Sequence, residues 1–292
     1  MEIKILYKVK QTAKRLLPFG LLTVLPILSA CDHIDENDRL IYVEPVVQND
    51  STLTDSTKTI TSTLRTVLLE DFTGQMCVNC PKGTEVIKQL QDDYAERLVA
   101  VGIHGGPLGF KGNATTIGLA TDLGDKYYDS WQLEYQPVGL IDRHGAVNYT
   151  DWVTEVRKEM AKTSSISMEL EATLNDNQIT IITKATSLEG TYDGQLQLWV
   201  LEDSITATQK RHDPIDNDNV TISDKNYLHN HVLRCAVNGS WGESIHLNTN
   251  DPIVKTYPLT VDAAWEASHL SIVAFLYNNS GVEQAIKTKV KE

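Results

Sequence analysis

The sequence predicts two architectures in series, an α/β layer over residues 65–163 and an all-β sandwich over 164–292. Three observations predict this. Strand and helix signals alternate through the first stretch. From residue 164 the pattern changes to short β-rich segments punctuated by turn residues. Between the first strand and the first helix stand two of the chain's four cysteines, Cys77 and Cys80, in C-x-x-C spacing.

The α/β elements follow from local pattern. "TVLLEDF" (66–72) is a short apolar run and reads as a strand. "PKGTEVIKQLQDDYAERL" (81–98) opens with proline and places Val86, Ile87, Leu90, Tyr94 and Leu98 at helical spacing. "LVAVGIH" (98–104) is a second buried strand. "NATTIGLATDLGDKYYDSW" (113–131) leans toward helix, weakened by Gly118 and Gly124. "PVGLIDRHG" (137–145) is a strand ending in a turn. "TDWVTEVRKEMAK" (150–162) is a helix capped by Thr150 or Asp151.

Seven segments follow: "SISMELEATL", "QITIITKATS", "QLQLWVLED", "HNHVLRCAV", "IVKTYPLTV", "LSIVAFLYN" and "QAIKTKV". Most alternate in polarity or are rich in Val, Ile and Thr. "NDN", "YDG" and "NNSG" separate them. This pattern predicts an immunoglobulin-like β-sandwich, without the internal cysteine pair of antibody domains.

The N-terminus reads as an address. Lys4, Lys8, Lys10, Lys14 and Arg15 precede the apolar run "LLPFGLLTVLPIL", which is too short and too proline-broken to span a bilayer comfortably. "LSAC" then resembles a bacterial lipobox, which implies cleavage after residue 30 and lipid attachment to Cys31. Residues 31–64 are polar and rich in Asp, Ser and Thr, a tether between lipid and fold. Membrane attachment through Cys31 is therefore the expected partnership. The formal charge is −13, and it excludes nucleic-acid binding by phosphate neutralisation, which needs clustered Lys and Arg. No cofactor is expected.

Outside the cytoplasm disulfides persist. With Cys31 lipidated, three cysteines remain, so at least one thiol is free or pairs between molecules. The order strand, Cys77-Val-Asn-Cys80, Pro81, helix is that of thioredoxin-like proteins. A helix N-terminus presents free N–H groups and partial positive charge, which stabilise a thiolate. Cys77, earlier and predicted to be the more exposed, is the candidate nucleophile. Cys80 is the candidate resolving thiol. "EDFTGQMC" and "YQPVGLID" also resemble thioredoxin segments. That resemblance makes Asp71 a buried proton-transfer carboxylate and Pro137 a cis-proline beside the disulfide. If strands 66–72 and 98–104 run parallel, His104 ends beside Cys77 and can tune it. Three departures are plain. Met76 stands where thioredoxins carry Trp, Pro81 follows the second cysteine, and 105–131 is an insertion. A metal site built on Cys235, His229 and His231 is the weaker reading, with both imidazoles of "HNH" on one strand face. "DPIDNDN" (213–219) lacks the Gly and Glu of a calcium loop.

The lipobox, "LLEDFTGQMCVNCPKG", "QPVGLIDR", "LWVLED" and "YLHNHVLR" together resemble the Omp28-related outer-membrane lipoproteins. The resemblance implies a thioredoxin-like domain followed by a β-sandwich, anchored at the outer membrane, periplasmic or surface-exposed. A role as adhesin or receptor has been proposed for a member. Two functions stay open at this point. One is thiol–disulfide exchange on envelope proteins. The other is non-enzymatic binding of an envelope protein or a host or surface ligand, with Cys77–Cys80 as a structural disulfide.

Overall fold

The computed structural model describes residues 61–215 and 220–292. The expected leader, Cys31, most of the tether and the end of "DPIDNDN" lie outside the described residues. Those described fall within one compact unit.

In chain order the elements begin with β1 (Thr63–Leu64), β2 (Val67–Thr73), α1 (Cys80–Tyr94), β3 (Leu98–His104) and α2 (Asp122–Ser130). Next come β4 (Val138–Ile141), β5 (Ala146–Asn148), α3 (Trp152–Met160), β6 (Thr163–Ser164), β7 (Ile166–Asn175) and β8 (Gln178–Ser187). Then follow β9 (Tyr192–Glu202), β10 (Ile205–His212), β11 (Thr221–His229), β12 (Val232–Ala236) and β13 (Glu243–Leu247). The chain closes with β14 (Ile253–Thr260), β15 (Leu270–Asn278) and β16 (Gly281–Lys289).

The expected architecture is overturned here. Among the described residues there is no separate thioredoxin-like α/β domain and no self-contained immunoglobulin-like sandwich. Strands dominate, and those on both sides of residue 163 share one nine-stranded sheet among the described residues, in the order β16-β15-β9-β12-β3-β2-β4-β5, with β13 also on β9. The seam is a parallel contact between β3 and β12 at Gly102 and Val232, where Gly102 N donates to His231 O at 2.8 Å. β3 is buried on both faces, so its open edge needs a partner, and β12 supplies it. β1 pairs with β6, which draws the end of the expected tether into the fold.

Two-sided burial gives the sheet two cores. On β2 and β3, Leu68, Phe72, Val99, Val101 and Ile103 face a cluster that also holds Trp199, Leu201, Val273 and Phe275 from beyond residue 163. Val67, Leu69, Leu98 and Ala100 face the other way, against Ile87 and Leu90 of α1 and Trp152 and Val156 of α3. A third cluster seats the small sheet β14-β8-β7 on Leu196, Leu198 and Val200 of β9 and Ile272 and Ala274 of β15. Alternation along each strand assigns each residue to its core.

Two further expectations change. Only 122–130 of the predicted 113–131 helix forms. A Cβ at Gly118 would fall 2.0 Å from Gly112 N, a backbone approach that helix geometry does not allow. Neither Thr150 nor Asp151 caps α3 by its side chain; Asn148 caps the 3-10 turn before it, accepting from Thr150 N.

Candidate functional site

Cys77 and Cys80 form a disulfide at the entrance of α1. The loop before it is tightly turned. Cys77 N donates to Gly74 O and Met76 N to Leu108 O, each at 3.0 Å. Gly74 lies so close to Leu108 that a Cβ there would meet Leu108 O at 2.2 Å. Pro81 sits in the first turn of α1, where its missing N–H costs nothing.

Both cysteines are 1% exposed, so the expectation of a more exposed Cys77 does not hold. The cover is the β10–β11 hairpin, which the sequence reading missed. Gln209 Nε2 donates to Cys77 O at 2.8 Å and to Gly74 O at 3.1 Å. Lys210 N donates to Gln75 O at 2.8 Å. Gln75, itself buried, donates to Ile117 O and Thr208 O and accepts from Leu119 N, tying the disulfide loop to the insertion and the hairpin. These glutamines carry no motif. The available signal was the inward period-2 series Ile205, Ala207, Gln209, with a polar residue at a core position.

Asp71, Thr73, Gly102 and His104 share the α1 face of the sheet, because Asp71 and Gly102, and then Thr73 and His104, are parallel register partners. With Cys80, Tyr227 and His229 they line a small, narrow cavity of about 30 Å³, room for one or two water molecules. His104 therefore shares its cavity with Cys80, and Cys77 is not part of the lining. The His104 ring meets that of His229 at 5.4 Å, edge to face.

The cavity is polar. Burial raises the Asp71 carboxyl to about 8, and its Oδ1 has no hydrogen-bond partner among the described residues. Burial, then the neighbouring His229 and Arg234, lowers His104 to about 3; burial lowers His229 to about 4. His104 Nδ1 and His229 Nε2 are likewise buried without a protein partner. Such groups call for water or for one another.

The Gln136–Pro137 peptide bond is cis. Gln136 Nε2 donates to Thr73 O and Gly105 O, and its Oε1 accepts from Leu108 N, so this residue joins the ends of β2 and β3 to the loop. Pro137 packs toward Gly83 in α1.

The "HNH" residues do not present two imidazoles on one face. His229 ends β11 facing His104, while His231 lies in the following turn at φ 55 and pairs with Asp203. Cys235, half-buried on β12, is free, and burial raises its thiol to about 11. Among the described residues no group of three or more His, Cys, Asp or Glu could hold a metal ion.

The family model described as outer membrane protein Omp28 matches residues 124–292. In fold the chain is similar to HBP35 of Porphyromonas gingivalis, with 18% identity over 77% of this chain and 75% of that one and a TM-score of 0.59. A solved domain of the outer membrane lipoprotein Omp28 from Porphyromonas gingivalis also matches, with 23% identity over 44% of this chain and 89% of that one and a TM-score of 0.30. No curated protein matches the sequence.

Proposed function

This chain belongs to the outer membrane protein Omp28 family, and from that premise we propose an outer-membrane binding protein in which Cys77–Cys80 is a standing structural disulfide. Cys31 is the lipid anchor in this reading, and the tether carries the folded unit clear of the bilayer. The observation that carries it is the seal: both cysteines are 1% exposed beneath a hairpin bonded to their loop. A disulfide is broken by in-line attack of a thiolate on one sulfur, and a sulfur under closed backbone offers no such approach.

Reduction kinetics test the seal. The native full chain is incubated with dithiothreitol, quenched with a maleimide and weighed by mass spectrometry. The expected rate is on the order of 100-fold below that of the urea-unfolded chain, because reduction waits for a local opening that costs a few kcal/mol. A native rate within a few-fold of the unfolded one would overturn the reading.

One observation favours a second reading, thiol–disulfide exchange once the hairpin lifts. Asp71 lines the cavity with Cys80, and at about 8 its carboxyl exchanges protons near neutral pH. Exchange on an envelope substrate predicts turnover that Cys77→Ser abolishes.

A further inference from the structure

A second cavity opens to solvent around Arg143, the ion-pair partner of Glu70 on β2. Its volume is about 450 Å³, and Trp131, Trp241 and Tyr277 supply aromatic surface, with Asn278 and Asn279 at the rim. Across the β15–β16 turn lies a depression of about 540 Å³ that shares Tyr277, Asn278 and Asn279 and adds Gln195 and Ser244. The two form neighbouring subsites with common walls.

The aromatic wall is held in place before any ligand arrives. Tyr277 OH donates to Trp241 O at 2.7 Å, and Tyr127 OH donates to Ser240 O. The Trp241 ring also packs edge-on against Tyr127 at 4.9 Å. A platform fixed this way spends little entropy on binding.

The polar groups define what fits. Arg143 is 7% exposed and sits in the cavity wall. Its Nε and Nη2 bond Glu70 at 3.1 and 3.2 Å, and its guanidinium lies 4.3 Å from the Tyr277 ring centre. The guanidinium is also packed among the Trp199, Trp241 and Phe275 rings. The amides of Asn278, Asn279 and Gln195 and the hydroxyl of Ser244 place donors and acceptors around the two cavities, which suits a ligand rich in hydroxyl groups. Three aromatic rings ask for a flat, weakly polar face. Glu70 already neutralises Arg143, and Asp193 lines the neighbouring subsite, so an anion gains little here. A purely apolar ligand would desolvate these rim amides without pairing them.

We propose that this paired cavity is a binding site for a neutral pyranose oligosaccharide, one ring stacked between Trp131 and Trp241 and the next beyond Asn278 and Asn279. The site goes beyond the sealed disulfide and does not depend on it.

Tryptophan fluorescence reads it directly, because Trp131 and Trp241 are two of the chain's five tryptophans. The full chain in a sugar-free detergent is titrated with maltose, cellobiose, lactose and N,N′-diacetylchitobiose, which also separates gluco, galacto and N-acetylated rings. At least one is expected to give a saturable change with Kd on the order of 1 mM. Trp131→Ala should weaken it at least about tenfold through lost stacking. Asn279→Ala, at an exposed turn position, should weaken it about threefold with the unfolding temperature unchanged. No saturable change with any of the four sugars, or equal binding by wild type and Asn279→Ala, would overturn the proposal.

Discussion

Glu70 and Asp71 are chain neighbours on β2, yet they serve two cavities of opposite character. Glu70 points into the face shared with Trp199 and Phe275, where it holds Arg143 in the wall of an open, aromatic cavity. Asp71 points to the α1 face, where it has no ion-pair partner among the described residues and lines a narrow cavity with His104 and His229. The open cavity keeps its charges paired and presents aromatic rings and side-chain amides, which suits binding. In the narrow cavity burial discharges Asp71, His104 and His229, which suits an interior position. One residue of strand register separates the two, because side chains alternate across a sheet.

The largest predicted effect tests the paired side. Glu70→Ala leaves a buried guanidinium with no counter-charge, and chemical denaturation should show a loss of about 3–5 kcal/mol. Asp71→Asn tests the unpaired side and should do the reverse. The folded carboxyl titrates near 8 against an ordinary 3.8, so its contribution is intact below pH 3.8 and is lost as pH rises through 8. Asp71→Asn should therefore raise stability on the order of 3 kcal/mol at pH 9 and far less at pH 4, measured as thermal midpoints across pH. A gain that does not grow with pH would show that Asp71 is charged and solvated.

Gln209→Ala opens the seal. Losing the bonds to Gly74 O and Cys77 O should cost about 1–3 kcal/mol and speed native reduction of Cys77–Cys80 by about tenfold. An unchanged reduction rate would mean that the hairpin does not gate the disulfide. The smallest effect concerns the histidines. His104 and His229 are held near 3 and 4, below the ordinary 6.5, so the stability they favour is present above pH 6.5 and is lost as pH falls toward 4 and then 3. His104→Gln should flatten that acid limb, changing stability at pH 6 by under about 1 kcal/mol. A slope identical to wild type would place the histidine in contact with water.

Much of the local structure was legible. β2, α1, β3 and α3 follow from apolar period and proline placement, and the parallel β2–β3 pairing behind the His104 expectation is present. The β10–β11 hairpin was not legible, because "ITATQKRH" carries polar residues inward as well as outward. Its Gln209 is buried by what it bonds, not by its own hydrophobicity. The open cavity was also hidden. Trp131, Arg143, Trp241 and Tyr277 are spread along the chain and meet only where α2, the turn after β4, the loop after β12 and the end of β15 converge.

By itself the sequence determined the Cys77/Cys80 pairing distance, the strand and helix periods around it, and, through its motifs, the family. Those are short-range properties, set by neighbours along the chain. The tertiary structure alone decided that β12 completes the sheet beside β3, that a hairpin from the β-rich half closes over the disulfide, and that Glu70 and Asp71 part company. Each depends on an edge, a lid or a register chosen among many, and only long-range burial makes the choice.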